Sequence, residues 1–137
     1  MVQMDVVYEG GLRCLLTHGP SGSQVRTDAP VDNHGRGELF SPTDLVAGAL
    51  GACLLTILGI LAERHNLDLT GAKVSVAKEM TATPPRRIAR LTCGISLPPG
   101  VPDELKPAFE RALSGCPVAQ SLHPEVEKVI EFDWSAA

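Results

Sequence analysis

Apolar and polar residues alternate near both ends of the chain, and one long apolar run lies between them. At the N-terminal end, Val6, Val7 and Tyr8 lead into Glu9-Gly10-Gly11, a turn signal. Leu12 to Thr17 reads as a second strand, Gly19-Pro20-Ser21-Gly22 as another turn, and Gln24 to Thr27 as a third strand. A meander of short antiparallel strands is expected there. Asp32 to Gly37 is a loop by composition. Then comes the clearest local signal, Ser41-Pro42-Thr43-Asp44. Ser41 can cap the free N–H groups of a helix, and Pro42 suits the first helical position, where no N–H is needed. Asp44 stands three residues after Ser41 and can close the capping box, a place usually held by Glu or Gln.

The helix that starts here is apolar on every side. Leu45 to Ala62 has no charge and one polar side chain, Thr56. Its roughly eighteen residues reach the lower edge of a membrane span. A buried helix is nevertheless the expectation, and no membrane is an expected partner. Gly48, Gly51 and Gly59 interrupt the run, charges bound it at Asp44 and Glu63-Arg64, and no second span follows. A helix apolar all round must be wrapped by protein if lipid does not wrap it. One 137-residue domain can hardly surround it, so a second subunit is expected to cover part of its surface. Ala47, Gly48, Gly51 and Ala52 offer small surfaces for close helix contact.

His65-Asn66 is the predicted stop, with Asn able to turn left-handed. A strand over Ala72 to Thr81 follows, with Val74, Val76 and Met80 alternating with polar residues. Pro84-Pro85-Arg86-Arg87 is a turn. Its partner strand carries Ala89, Leu91, Cys93, Ile95 and Leu97 on one face. An amphipathic helix is predicted over roughly Leu105 to Leu113, and a short helix from Cys116 to near Leu122. The last strand runs from Val126 to Trp134. The fold class is therefore α+β, in a single domain spanning residues 1–137.

Composition narrows the function. Apolar residues make up 44% and charged residues 20%, an ordinary globular balance. The net charge is -4 and there is no Lys/Arg run, so nucleic acid is not an expected partner. Met1 to Tyr8 lacks a basic stretch followed by an apolar one, so it is not read as a signal peptide, and a cytoplasmic, reducing location is expected. In such a compartment, cysteines at 14, 53, 93 and 116 are free or redox-active rather than a disulfide framework. Neither they nor the isolated histidines have metal-ligand spacing, so no metal is expected.

Cys14 and Cys93 each lie on an apolar strand face, where a cysteine is usually an inert core residue. Periodicity alone gives Cys53 the same reading. Cys116 differs, because it precedes Pro117 at an expected helix N-terminus, where free N–H groups favour the thiolate.

Two segments change this balance. Phe40-Ser-Pro-Thr-Asp-Leu-Val-Ala-Gly-Ala-Leu-Gly-Ala-Cys53 resembles the first-cysteine helix of the OsmC/Ohr family, and Cys116-Pro-Val-Ala-Gln-Ser-Leu122 resembles its second-cysteine motif. The resemblance covers most of the chain. It implies an OsmC-like fold, with antiparallel sheets wrapped around long central helices in an intertwined homodimer. It also implies a thiol peroxidase acting on organic hydroperoxides, with Cys53 as the peroxidatic thiolate and Cys116 as the resolving thiol. No cofactor is implied, and the reductant would be a dithiol of the lipoyl type. A thiolate in an apolar setting needs a nearby cation. The family supplies an Arg from the N-terminal strands and a carboxylate to orient it. Gly10-Gly11-Leu12-Arg13 resembles the Arg-bearing stretch with a shift of one residue, which points to Arg13. Arg26, Arg36 and an Arg of a partner subunit are the other candidates. Thr43 stands after Pro42, where the peroxidase branches carry Glu, leaving Asp44 as the matching carboxylate and Glu38 as a substitute. That departure keeps a second reading open: a redox-sensing protein, or a binder of small apolar ligands or sulfur species, without efficient peroxide turnover. A purely structural protein with four core cysteines is the third.

Overall fold

The computed structural model describes residues 1–135, and the chain forms two compact units, Met1–Val46 and the residues from Ala47 onward. Among the described residues there are two three-stranded sheets and three α-helices.

In the first unit, β1 (Met4–Gly10), β2 (Arg13–His18) and β3 (Gln24–Asp28) form the expected antiparallel meander. The β1–β2 turn uses three successive left-handed residues, Gly10, Gly11 and Leu12, with φ of 86°, 61° and 63°. Leu12 is costly there, because its Cβ crowds the following carbonyl. The β2–β3 ladder sets Arg13 directly opposite Asp28. Beyond β3 the chain folds back tightly. Asn33 and Gly35 both donate to the Pro30 carbonyl, and Gly37 donates to that of Ala29. A Cβ on Gly35 would overlap the Ala29 carbonyl oxygen, so only glycine fits there.

The capping box forms as its spacing predicts. Ser41 Oγ accepts from the Asp44 N–H at 3.1 Å, and Asp44 Oδ2 accepts from the Ser41 N–H at 2.9 Å. Helix α1 (Pro42–Arg64) starts at this box, and Asn66 is left-handed just after its end, with φ 56°. This helix is long and apolar enough, by length and composition, to cross a membrane. Its apolar residues fall on two faces. Ala47, Leu50, Gly51, Leu54, Leu58 and Ala62 are buried, whereas Gly48, Ala49, Ala52, Thr56 and Ile60 are exposed. The Thr56 hydroxyl donates to the Ala52 carbonyl at 2.8 Å, so this polar group is satisfied within the helix itself.

The second unit packs α1 on a sheet of β4 (Lys73–Met80), β5 (Ile88–Ser96) and β6 (Glu127–Asp133). Central β5 turns Leu91, Cys93 and Ile95 into the core, all fully buried. Gly51 is where the helix meets the sheet: a Cβ there would sit 2.9 Å from both Val74 Cγ1 and Val76 Cγ2. The antiparallel expectation holds for β4–β5 but not for β5–β6, which pair in parallel. The crossover responsible is α2 (Lys106–Ala112) and α3 (Pro117–Ser121), flanked by 3-10 turns, which returns the chain to the end of the sheet where β5 began.

Candidate functional site

Cys53 lies in the third turn of α1, two residues after the Gly51 contact, and is half-buried on the flank between the helix's buried and exposed faces. Cys116 is 0% exposed and caps α3, its Sγ accepting from the Ala119 N–H at 3.4 Å. The two cysteines are neighbours, near enough for Cys53 to act on the Cys116 thiol, and both thiols are free. Residues 63 positions apart in sequence thus form one thiol pair inside the second unit.

Helix N-terminal N–H groups should favour a Cys116 thiolate, and here they are outweighed. Burial pushes this thiol above its ordinary value. The Ala119 and Val118 N–H groups pull it down, and neighbouring Cys53 raises it again. A thiol removed from water holds its proton more tightly, and a second sulfur carrying charge adds to that. The balance favours the protonated thiol.

Cys93 is fully buried on β5, opposite Val76 and Ile130. Burial raises its thiol first, and the charge of Cys116 does so second. This is the inert core cysteine its strand position predicts. Cys14 pairs with Tyr8 and Thr27 in the first sheet and is half-buried.

Arg13 belongs to the first unit, and its environment is built there. Its Nη2 donates to Glu38 Oε2 at 2.9 Å and to Asp28 Oδ2 at 3.4 Å. The hydrogen bond that it donates to Glu38 is the main reason that its guanidinium is held above its ordinary range, with Asp28 and Glu38 adding charge attraction. Arg36 Nη1 also approaches Glu38, at 3.9 Å, while Arg26 is engaged by Glu9 at 2.7 Å. So the carboxylates on Arg13 are Asp28 and Glu38, and Asp44 is engaged in the helix cap. Glu38 had been a candidate from sequence. Asp28 had not, because it reads as the end of a strand, and only the hairpin register reveals that it faces Arg13. Among the described residues no group of three His, Cys, Asp or Glu side chains is arranged to hold a metal ion.

Similarity to known proteins bears on the family and the fold. A family profile described as OsmC-like protein matches residues 35–131. The crystal structure of a Psychrobacter arcticus protein, provisionally described as an osmotic stress induced and detoxification response protein, is 39% identical. It superposes with a TM-score of 0.91 over 97% of this chain and 96% of that one. The organic hydroperoxide resistance protein OsmC of Legionella pneumophila shares the fold at 15% identity, with a TM-score of 0.76 over 98% and 97% of the two chains. The OsmC like protein of Mycoplasma pneumoniae does so at 13% identity, with a TM-score of 0.78 over 97% and 96%. Among curated proteins none matches the chain.

Proposed function

The chain belongs to the OsmC-like family, and from that premise we propose that it reduces organic hydroperoxides through the Cys53/Cys116 pair. The observation that carries this reading is that Cys53 neighbours the buried Cys116 and acts on its thiol, with both cysteines free. Cys53 attacks the terminal peroxide oxygen as a thiolate. The O–O bond breaks, the departing alkoxide takes up the proton that the Cys53 thiol gave up and leaves as the alcohol, and Cys53 is left as a sulfenic acid. Cys116, still protonated, condenses with it, losing water and forming a disulfide. A dithiol then reduces this disulfide, becoming oxidised in turn. A dithiol of the lipoyl class suits the task, because it closes to a ring on oxidation. The apolar surroundings of α1 favour greasy hydroperoxides over hydrogen peroxide.

Arg13 is the cation that we assign to the Cys53 thiolate, and the working protein is a homodimer of the reducing cytoplasm. The second subunit accounts for the apolar face of α1 that one chain leaves exposed. One observation favours slower, sensor-like redox chemistry on the same pair: two carboxylates already share Arg13.

The deciding experiment treats the reduced protein with one equivalent of cumene hydroperoxide and maps its thiols by mass spectrometry. Rapid appearance of a Cys53–Cys116 disulfide, abolished in Cys53→Ser, is the expected result. Two thiols that stay reduced, or that oxidise only at large excess, would overturn the peroxidase reading.

A further inference from the structure

We propose that Cys93 is a third redox thiol, which exchanges with the Cys53–Cys116 disulfide, takes Cys116 as its own partner and releases Cys53 for a second oxidation. The proposal rests on the Cys53/Cys116 reading, and it deepens that reading.

All three cysteines belong to the second unit, and its fold gathers them around Cys116. Cys93 lies at the middle of β5, between Val76 of β4 and Ile130 of β6, and is fully buried. The Gly51 side of α1 rests on β4, through Val74 and Val76. Cys53 is two residues further on, about 200° around the helix, so it leaves α1 on the side away from β4. On the β6 side stands α3, whose Ala119 and Gln120 share a hollow with Lys128 and Ile130. Cys116 starts that helix and is fully buried. Its sulfur therefore has Cys53 on the helix side and Cys93 on the sheet side. The charge effects agree: after burial, which dominates at both sites, Cys116 raises the Cys93 thiol and Cys53 raises that of Cys116.

Packing alone would account for one buried cysteine on a strand. Here the third sulfur adjoins the one thiol that the proposed reaction turns into a disulfide. Cys93 is closed to solutes, so peroxide does not oxidise it directly. A disulfide formed beside it needs no access. The Cys93 thiol gives up its proton, and the thiolate attacks the Cys116 sulfur. The bond between Cys53 and Cys116 breaks, and its electron pair and the proton end on Cys53, which is a free thiol again. The exchange consumes no further oxidant. The new disulfide is buried, out of reach of the dithiol reductant. A second peroxide then leaves Cys53 as a sulfenic acid with no resolving thiol, a state suited to signalling rather than turnover. Among the described residues no trio of such side chains is arranged to hold a metal ion, whereas exchange needs only two sulfurs at a time.

The test takes Cys14→Ser as the parent, so that only these three thiols remain. The reduced protein receives one and then two equivalents of cumene hydroperoxide. Disulfides are mapped against time by mass spectrometry, with dimedone trapping sulfenic acid. At one equivalent, Cys53–Cys116 should form first and pass into Cys93–Cys116 over minutes to hours, the usual span of uncatalysed exchange. At two, the parent should consume about two equivalents and carry dimedone on Cys53, whereas adding Cys93→Ala should leave it consuming about one and carrying none. A Cys53–Cys116 disulfide that persists for many hours with Cys93 still reduced overturns this proposal and leaves the peroxidase reading standing. That result is read on the parent alone, whether or not Cys93→Ala folds. Cys93–Cys116 forming equally fast in Cys53→Ser overturns the exchange step. Cys53 and Cys116 both still reduced after peroxide overturn the peroxidase reading and this proposal with it.

Discussion

Replacing Gly51 with alanine tests how closely α1 is seated on the second sheet. The new Cβ would sit 2.9 Å from Val74 Cγ1 and 2.9 Å from Val76 Cγ2, closer than carbons pack. Both neighbours are β-branched and stiff about χ1, so neither methyl can swing aside, and the helix must lift by a few tenths of an ångström. Alanine gains about 0.8–1.0 kcal/mol over glycine in a helix interior. Overpacking a dense core costs about 1–3 kcal/mol. The net effect therefore runs from near zero to a loss of about 2 kcal/mol. At about 3–5 °C per kcal/mol for a chain of this size, the melting temperature should fall by up to about 10 °C. Gly48→Ala is the control. Nothing lies within 4 Å of its Cβ position, so a lone chain should gain the whole helix propensity. Urea unfolding of both variants at matched protein concentration gives the comparison, with the rate of Cys53–Cys116 disulfide formation as the second readout. A Gly51→Ala protein that is more stable than wild type by the full alanine gain, with unchanged disulfide kinetics, would refute this contact as the determinant of helix placement.

Other perturbations follow from the same structure. Ser41→Ala removes one half of the capping box and should cost about 1 kcal/mol in urea unfolding, within a range of about 0.5–2. Burial raises the thiols of Cys93 and Cys116, so the folded state retains these protons longer than the unfolded chain. Their contribution to stability is complete below the ordinary thiol value of 9.0 and is lost as pH rises beyond it. The urea midpoint should accordingly fall above pH 9, and less steeply in Cys116→Ser. Ile60→Glu places a charge on the exposed apolar face of α1, and sedimentation should show the proposed dimer falling to monomer. A variant that stays dimeric at micromolar concentration would place the subunit contact elsewhere.

Much of the fold was legible because its signals are local. The cap at Ser41 and Asp44 and the left-handed Asn66 bound α1 within one or two residues of the expected limits. Turn signals located the three N-terminal strands, and period-two alternation located the later ones and the inward face of β5. Alternation says nothing of strand direction, however, and so the parallel β5–β6 pair was not visible from it. Asp28 was missed for a related reason. Its partner is fixed by hairpin register, which depends on where a three-residue left-handed turn ends rather than on any motif near residue 28. The proton balance of Cys116 was misjudged because helix polarity can be seen in a sequence, whereas depth of burial cannot.

The uniform apolarity of α1 conceals which of its sides the chain itself buries. An ordinary surface helix divides into one apolar and one polar side, and the division reveals which side is buried. Here Leu50, Leu54 and Leu58 serve the chain's own core, while Gly48, Ala52, Thr56 and Ile60 form a second, smaller-featured apolar side. Both sides want cover, so neither can be identified from pattern alone. Cys53 stands on the flank between them, with Cys116 as a neighbour on the buried side and half-open on the other. A thiol buried as deeply as Cys93 could not be reached by a peroxide, and one on the exposed face could not meet a resolving partner in the core. The flank of a two-faced apolar helix satisfies both requirements at one residue, which is where the proposed peroxidase chemistry would place its reactive cysteine.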